Sequence, residues 1–77
     1  MDYYIAKLIN GDRVSYLGQD IMGKEGELHF GSFEHVITFS TEDSAISEVN
    51  RIAKNTRISG TVEIVFMKSE TVNTINF

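Results

Sequence analysis

The fold of this chain is decided by residues 40–54, which read STEDSAISEVNRIAK. The apolar residues of this stretch recur at the spacing of one stripe of an α-helix; they are Ala45, Ile46, Val49, Ile52 and Ala53. Ser40 or Thr41 can cap the helix by accepting hydrogen bonds from its first backbone amides. The Asn55-Thr56 step is a suitable stop, so the pattern predicts one amphipathic helix of about 14 residues.

Three segments before the helix carry strand or loop signals. Residues 3–9 (YYIAKLI) and 13–17 (RVSYL) are rich in aromatic and β-branched residues, and the Asn10-Gly11 step between them predicts a β-hairpin. Residues 33–39 (FEHVITF) predict a third strand. Between these strands, the glycine-rich residues 18–31 predict a long loop, with a very short strand at residues 28–30 as the alternative.

After the helix, residues 61–67 (TVEIVFM) form the clearest strand pattern of the chain. Residues 68–70 predict a turn and residues 71–77 a weaker closing strand. The predicted order is therefore strand, strand, strand, helix, strand, strand. This order predicts an α+β fold in one domain (residues 1–77), with a single antiparallel sheet of four to five strands and one helix packed on one face.

The predicted strands carry apolar side chains on both faces. In the first strand, the apolar residues on one face are Tyr3, Ile5 and Ile9, and those on the other are Tyr4, Ala6 and Leu8. A strand with one face in water should alternate more cleanly between apolar and polar residues. Since one helix covers one face, the second face needs the glycine-rich loop, a second copy of the chain or another protein to cover it.

The amino-acid composition argues against several kinds of site and function. The chain has no cysteine, which excludes disulfides and thiolate metal sites. Its net charge of −4 disfavours direct binding to nucleic acid. It has neither an apolar run long enough to span a membrane nor the basic start of a signal peptide, so we expect no membrane contact and a cytoplasmic protein.

No motif predicts catalysis, a metal site or a cofactor. Residues 18–25 (GQDIMGKE) follow a phosphate-binding loop until the last position, where Glu25 replaces the Ser or Thr that would hold magnesium. His29 and His35 are the only histidines, and their spacing matches no compact zinc motif. We therefore predict that the protein is not an enzyme.

Acidic residues are the most distinctive surface feature. Residues 1–39 contain six acidic and three basic side chains, whereas the remainder contains five and four. A field of this sign can steer the protein towards a basic groove, including one that normally binds nucleic acid. We expect the partner-binding residues to be the acidic Asp20, Glu25, Glu27 and Glu34, with Tyr4 and Tyr16 as apolar anchors.

Three stretches carry a resemblance of pattern: YYIAKLINGD (3–12), ITFSTEDSAISEVNRIA (37–53) and GTVEIVFM (60–67). In this pattern the chain resembles small accessory proteins of phages and mobile elements, including small anti-CRISPR-type inhibitors. The resemblance implies a phage-encoded protein that binds a host nuclease or surveillance complex in the host cytoplasm without catalysis. It carries no functional residue over to this chain.

The leading prediction is thus a non-enzymatic binding protein that inhibits or modulates a host nucleic-acid-handling protein. The alternative is a self-associating module that forms a homodimer through the second sheet face. A third candidate, a nucleic-acid binder, would use the side chains of Tyr3, Arg13, Tyr16, Arg51 and Arg57.

Overall fold

A computed structural model describes residues 2–19, 27–68 and 74–76. In chain order, these residues form β1 (Asp2–Asn10), β2 (Arg13–Gln19), β3 (Leu28–Gly31), a 3₁₀ turn (Phe33–His35), α1 (Glu42–Asn55) and β4 (Thr61–Lys68). The four strands make one antiparallel sheet in the order β3-β2-β1-β4. The predicted α+β fold, with one antiparallel sheet and one helix, is confirmed.

The first hairpin forms as predicted, with its turn one residue further along. Asn10 pairs with Arg13, so the two-residue loop is Gly11-Asp12. Gly11 has a φ of 61°, and no non-glycine residue in the described part of the chain has a positive φ. Positive φ at the first loop residue alone is the pattern of a type II′ turn, whose twist matches the flanking strands.

The helix also forms where the sequence predicts it. The Thr41 side chain accepts a hydrogen bond from the Ser44 backbone amide at 3.1 Å, and Thr56 ends the helix by donating its amide to the Ile52 carbonyl at 2.8 Å. Of the predicted apolar stripe, Ala45 and Ile52 are buried, Val49 is half-buried, and Ile46 and Ala53 are exposed. The buried stripe is narrower than predicted because a single helix on a sheet contacts it along one line.

The prediction of a third strand at residues 33–39 is wrong at its start. Residues Phe33–His35 form the 3₁₀ turn, and the third strand is Leu28–Gly31, close to the short alternative at residues 28–30. The predicted closing strand is absent at residues 74–76, where Ile75 is 69% exposed. The rest of that prediction, residues 71–73 and 77, lies outside the described residues.

An extended segment, residues 36–39, fills a gap between β1 and β2. The two strands pair with each other only through Lys7–Asn10 and Arg13–Tyr16. Beyond that point Tyr4 exchanges two backbone hydrogen bonds with Phe39, both 2.8 Å long, and the Leu17 carbonyl accepts one from Ile37 at 3.0 Å. The segment therefore satisfies backbone groups that the diverging strands leave unpaired.

The core lies between the sheet and α1. Its buried centre is formed by Ala6, Leu17 and Ile52, each 7% exposed or less. Half-buried side chains from α1, β3, β4 and the connecting segments surround this centre; they are Leu28, Phe30, Ile37, Phe39, Val49, Ile58, Val62 and Ile64. So small a centre is typical of a domain of this length.

Candidate protein-binding surface

The register of the sheet separates its side chains into two faces. Ala6 and Leu17 point towards α1, where they pack with Ile52. We call the opposite side the reverse face, because residues paired across an antiparallel ladder share a face. Its members on β1, β2 and β4 are Tyr3, Ile5, Lys7, Ile9, Val14, Tyr16, Thr61, Glu63, Val65 and Met67.

The reverse face is largely apolar, and α1 does not lie on it. The 3₁₀ turn crosses this face over β2, where Phe33 packs on Tyr16 and the backbone of His35 lies close to Gly18. Ile5 is only 3% exposed, so the chain itself shields this part of the face, whereas Val14 is 47% exposed. The half-buried apolar residues on this face are Tyr3, Ile9, Tyr16, Val65 and Met67. The predicted distribution of apolar side chains over two faces is thus confirmed, and α1 covers only one of them.

An aromatic pair marks the β2 end of the reverse face. The ring of Phe33, in the 3₁₀ turn, stands edge-on to the ring of Tyr16 with their centroids 4.9 Å apart. Phe33 is 53% exposed, and the exposed carboxylate of Glu34 follows it in the same turn. An exposed aromatic ring beside charged groups is a common composition for a protein-binding hot spot.

A pair of opposite charges lies next to this aromatic pair on the reverse face, because Lys7 is the register partner of Tyr16. Lys7 on β1 and Glu63 on β4 are register partners, with Ile5 and Val65 next to them on the same face. Among the described residues, the one ion pair is that of Arg51 and Glu48, so Lys7 and Glu63 are not held in a close contact.

The second predicted anchor, Tyr4, lies on the face that carries α1. Its ring packs against that of Phe66, with centroids 5.1 Å apart, and Phe66 is 51% exposed. Tyr4 and Tyr16 therefore lie on opposite faces of the sheet, and one flat contact surface cannot include both side chains.

The acidic residues predicted to contact a partner also lie in different places. Glu34 follows Phe33 in the 3₁₀ turn, whereas Glu27 lines a groove between β3 and the C-terminal half of α1. Both are exposed. The other two predicted contact residues, Asp20 and Glu25, lie outside the described residues.

The groove beside Glu27 has a volume of about 500 Å³ and a lining that includes His29, Arg51 and Asn55. Arg51 donates two hydrogen bonds to the Glu48 carboxylate, 2.7 and 3.1 Å long, and these bonds raise the pKa of Arg51. The Arg51 guanidinium is thus hydrogen-bonded to a side chain of its own helix. The described residues contain no group of three or more histidine or acidic side chains that could hold a metal ion.

The position of Arg51 also bears on the third predicted function, that of a nucleic-acid binder. Arg51 lies on α1, and Tyr3 and Tyr16 lie on the reverse face. The residues of that candidate are therefore distributed over both sides of the sheet. No helix in the described part of the chain has the length and apolarity needed to cross a membrane.

Sequence reasoning missed Phe33 and Phe66 as exposed aromatics. Both stand in apolar runs, FEHVITF and TVEIVFM, where an aromatic residue normally indicates a core position. The opposite charges of Lys7 and Glu63 were visible, but their proximity depends on the pairing of β1 with β4, whose residues are more than fifty positions apart along the chain.

Comparisons with protein-family models, curated proteins and solved structures found no match to this chain. Its function is therefore inferred from its own residues.

Proposed function

We propose that this protein is a non-enzymatic binding protein that captures a partner protein through the β2 end of its reverse face. The observation that carries the proposal is the exposed ring of Phe33, held edge-on to Tyr16 on a face that α1 leaves uncovered. A ring held by a second ring loses little conformational freedom on binding, which favours its use as an anchor.

The charge around this anchor supports a basic partner. Glu34 follows Phe33 directly, and the chain as a whole carries a net charge of −4. Acidic side chains at the rim of an interface accelerate association with a positively charged surface. A host nucleic-acid-handling protein, such as a nuclease or surveillance complex, has a positively charged surface of this kind. We propose that this protein inhibits such a partner by binding to it.

The test compares the amount of host protein captured by the immobilised Phe33→Ser variant with the amount captured by the unchanged protein. We expect the amount of the specifically captured protein to fall about tenfold or more, since aromatic anchors dominate binding energy. The matched control is Ile46→Ser, which removes an exposed apolar side chain from α1, on the other side of the molecule. Circular dichroism and thermal unfolding check that both variants fold.

Undiminished capture by the folded Phe33→Ser variant would contradict the proposal. Equal loss with Ile46→Ser would contradict it too, because the effect would then not be specific to the reverse face. Release of the captured protein from its nucleic acid, measured by a gel shift, tests the proposed inhibition.

A further inference from the structure

We propose that the half of the reverse face formed by β1 and β4 binds a second copy of this chain. The two sheets pack face to face around a two-fold axis that runs parallel to the strands, midway between β1 and β4. The inference rests on the proposed function in that both use the reverse face, on which α1 does not lie, and it names the partner for one half of that face.

The pairing of β1 with β4 makes this half self-complementary. Four register pairs lie on the reverse face, and they are Tyr3 with Met67, Ile5 with Val65, Lys7 with Glu63 and Ile9 with Thr61. With this axis, each residue of one copy faces, in the second copy, the residue that is its register partner within a single chain. On one side of the charged pair, Tyr3 and Val65 thus lie over Met67 and Ile5 of the second copy, with the buried Ile5 contributing little surface. On the other side, Ile9 lies over Thr61 of the second copy.

The charges select this axis. Each Lys7 lies above Glu63 of the second copy, and each Glu63 lies above Lys7 of the second copy, so the four charges alternate. Packed sheets are about 10 Å apart, a gap that a lysine and a glutamate can span together. An axis along β1 itself would instead place Lys7 against Lys7, which is unfavourable.

The size of the surface sets the strength of the dimer. β1 and β4 pair over eight residues. With about 3.3 Å per residue and about 4.8 Å per strand, the two strands present roughly 250 Å² in projection. Stable complexes bury about 800 Å² of accessible surface per partner, so we expect a weak, reversible dimer that forms at high protein concentration.

Sedimentation velocity of the full chain tests the inference by charge exchange. We expect the unchanged protein to shift from monomer to dimer between about 10 µM and about 1 mM, the range of a weak interface. Lys7→Glu and Glu63→Lys each give four like charges at the interface, and both variants should stay monomeric. The double variant Lys7→Glu/Glu63→Lys restores the alternation and should dimerise again.

The matched control is Lys54→Glu, which makes the same change in net charge on an exposed position of α1 and should dimerise normally. The inference is overturned if the unchanged protein stays monomeric, if both folded single variants dimerise, or if the double variant fails to. Circular dichroism reports folding, and Glu63→Lys serves if Lys7→Glu does not fold. Partner capture that depends on Phe33 in a monomeric protein would overturn this inference and leave the proposed function standing.

Discussion

Gly18 is the residue that allows another segment of backbone to come close to β2. The segment 36–39 enters between β1 and β2 beside Gly18, which is buried and forms an isolated bridge with Val36. A Cβ atom at Gly18 would overlap the backbone carbonyl of His35. The approach of the two backbones therefore requires glycine at this position.

We predict that Gly18→Ala destabilises the protein by about 2 kcal/mol or more, because the added carbon meets backbone that cannot move aside easily. The measurement is the free energy of unfolding from urea titration. The control is Gly31→Ala in β3, where the nearest atom to the added carbon would be a side-chain atom of His29 at 3.4 Å. We expect a change within about 1 kcal/mol there, and equal effects at the two positions would contradict the role of Gly18.

Gly18 could not be assigned this role from the sequence. It opens a glycine-rich stretch, and a glycine there favours a loop. The chain instead continues β2 through Gln19, because pairing with β3 on one side and with the segment 36–39 on the other satisfies its backbone.

At the scale of elements, α1 is specified locally. Its cap, its apolar spacing and its end all lie within residues 41–56, and the helix Glu42–Asn55 begins and ends where those signals predict. The 3₁₀ turn is the opposite case. Residues 33–39 have strand composition, yet Phe33–His35 turn because the chain must pass from the edge strand β3 across β2 to reach the gap beside β1.

We predict that Thr41→Ala lowers the free energy of unfolding by about 1 kcal/mol, since the Ser44 amide loses the side-chain oxygen that accepts its hydrogen bond. Urea titration measures the change. Ser40→Ala, which removes the preceding hydroxyl, is the control and should change stability by less than about 0.5 kcal/mol. The assignment of Thr41 as the cap would be wrong if Ser40→Ala had the larger effect.

For the whole molecule, charge and uncovered apolar surface are the properties with functional consequences. One helix on a four-stranded sheet leaves the reverse face to other contacts, and a small domain has few buried residues with which to compensate. The acidic excess in residues 1–39 adds a long-range attraction to basic surfaces.

We predict that the double variant Glu25→Lys/Glu27→Lys slows association with the captured partner severalfold to about tenfold at low salt, because it reverses part of the steering field. Surface plasmon resonance with the immobilised partner measures the rate. The control Asp2→Lys/Asp43→Lys makes the same change in net charge outside residues 18–31 and should slow association less. The difference should disappear at about 1 M salt, where the charges are screened. Equal association rates at low salt for the unchanged protein and the first variant would remove these two glutamates from the interaction.

The sequence by itself determined the fold class, the hairpin, the helix with its cap, and the presence of apolar residues on two faces. These features depend on turn chemistry, capping and periodicity, which act over a few residues. Only the tertiary structure decided that Lys7 and Glu63 are register partners in β1 and β4. It alone decided that Phe33 stands exposed against Tyr16. Each of these depends on contacts between segments far apart along the chain, which local preferences do not encode.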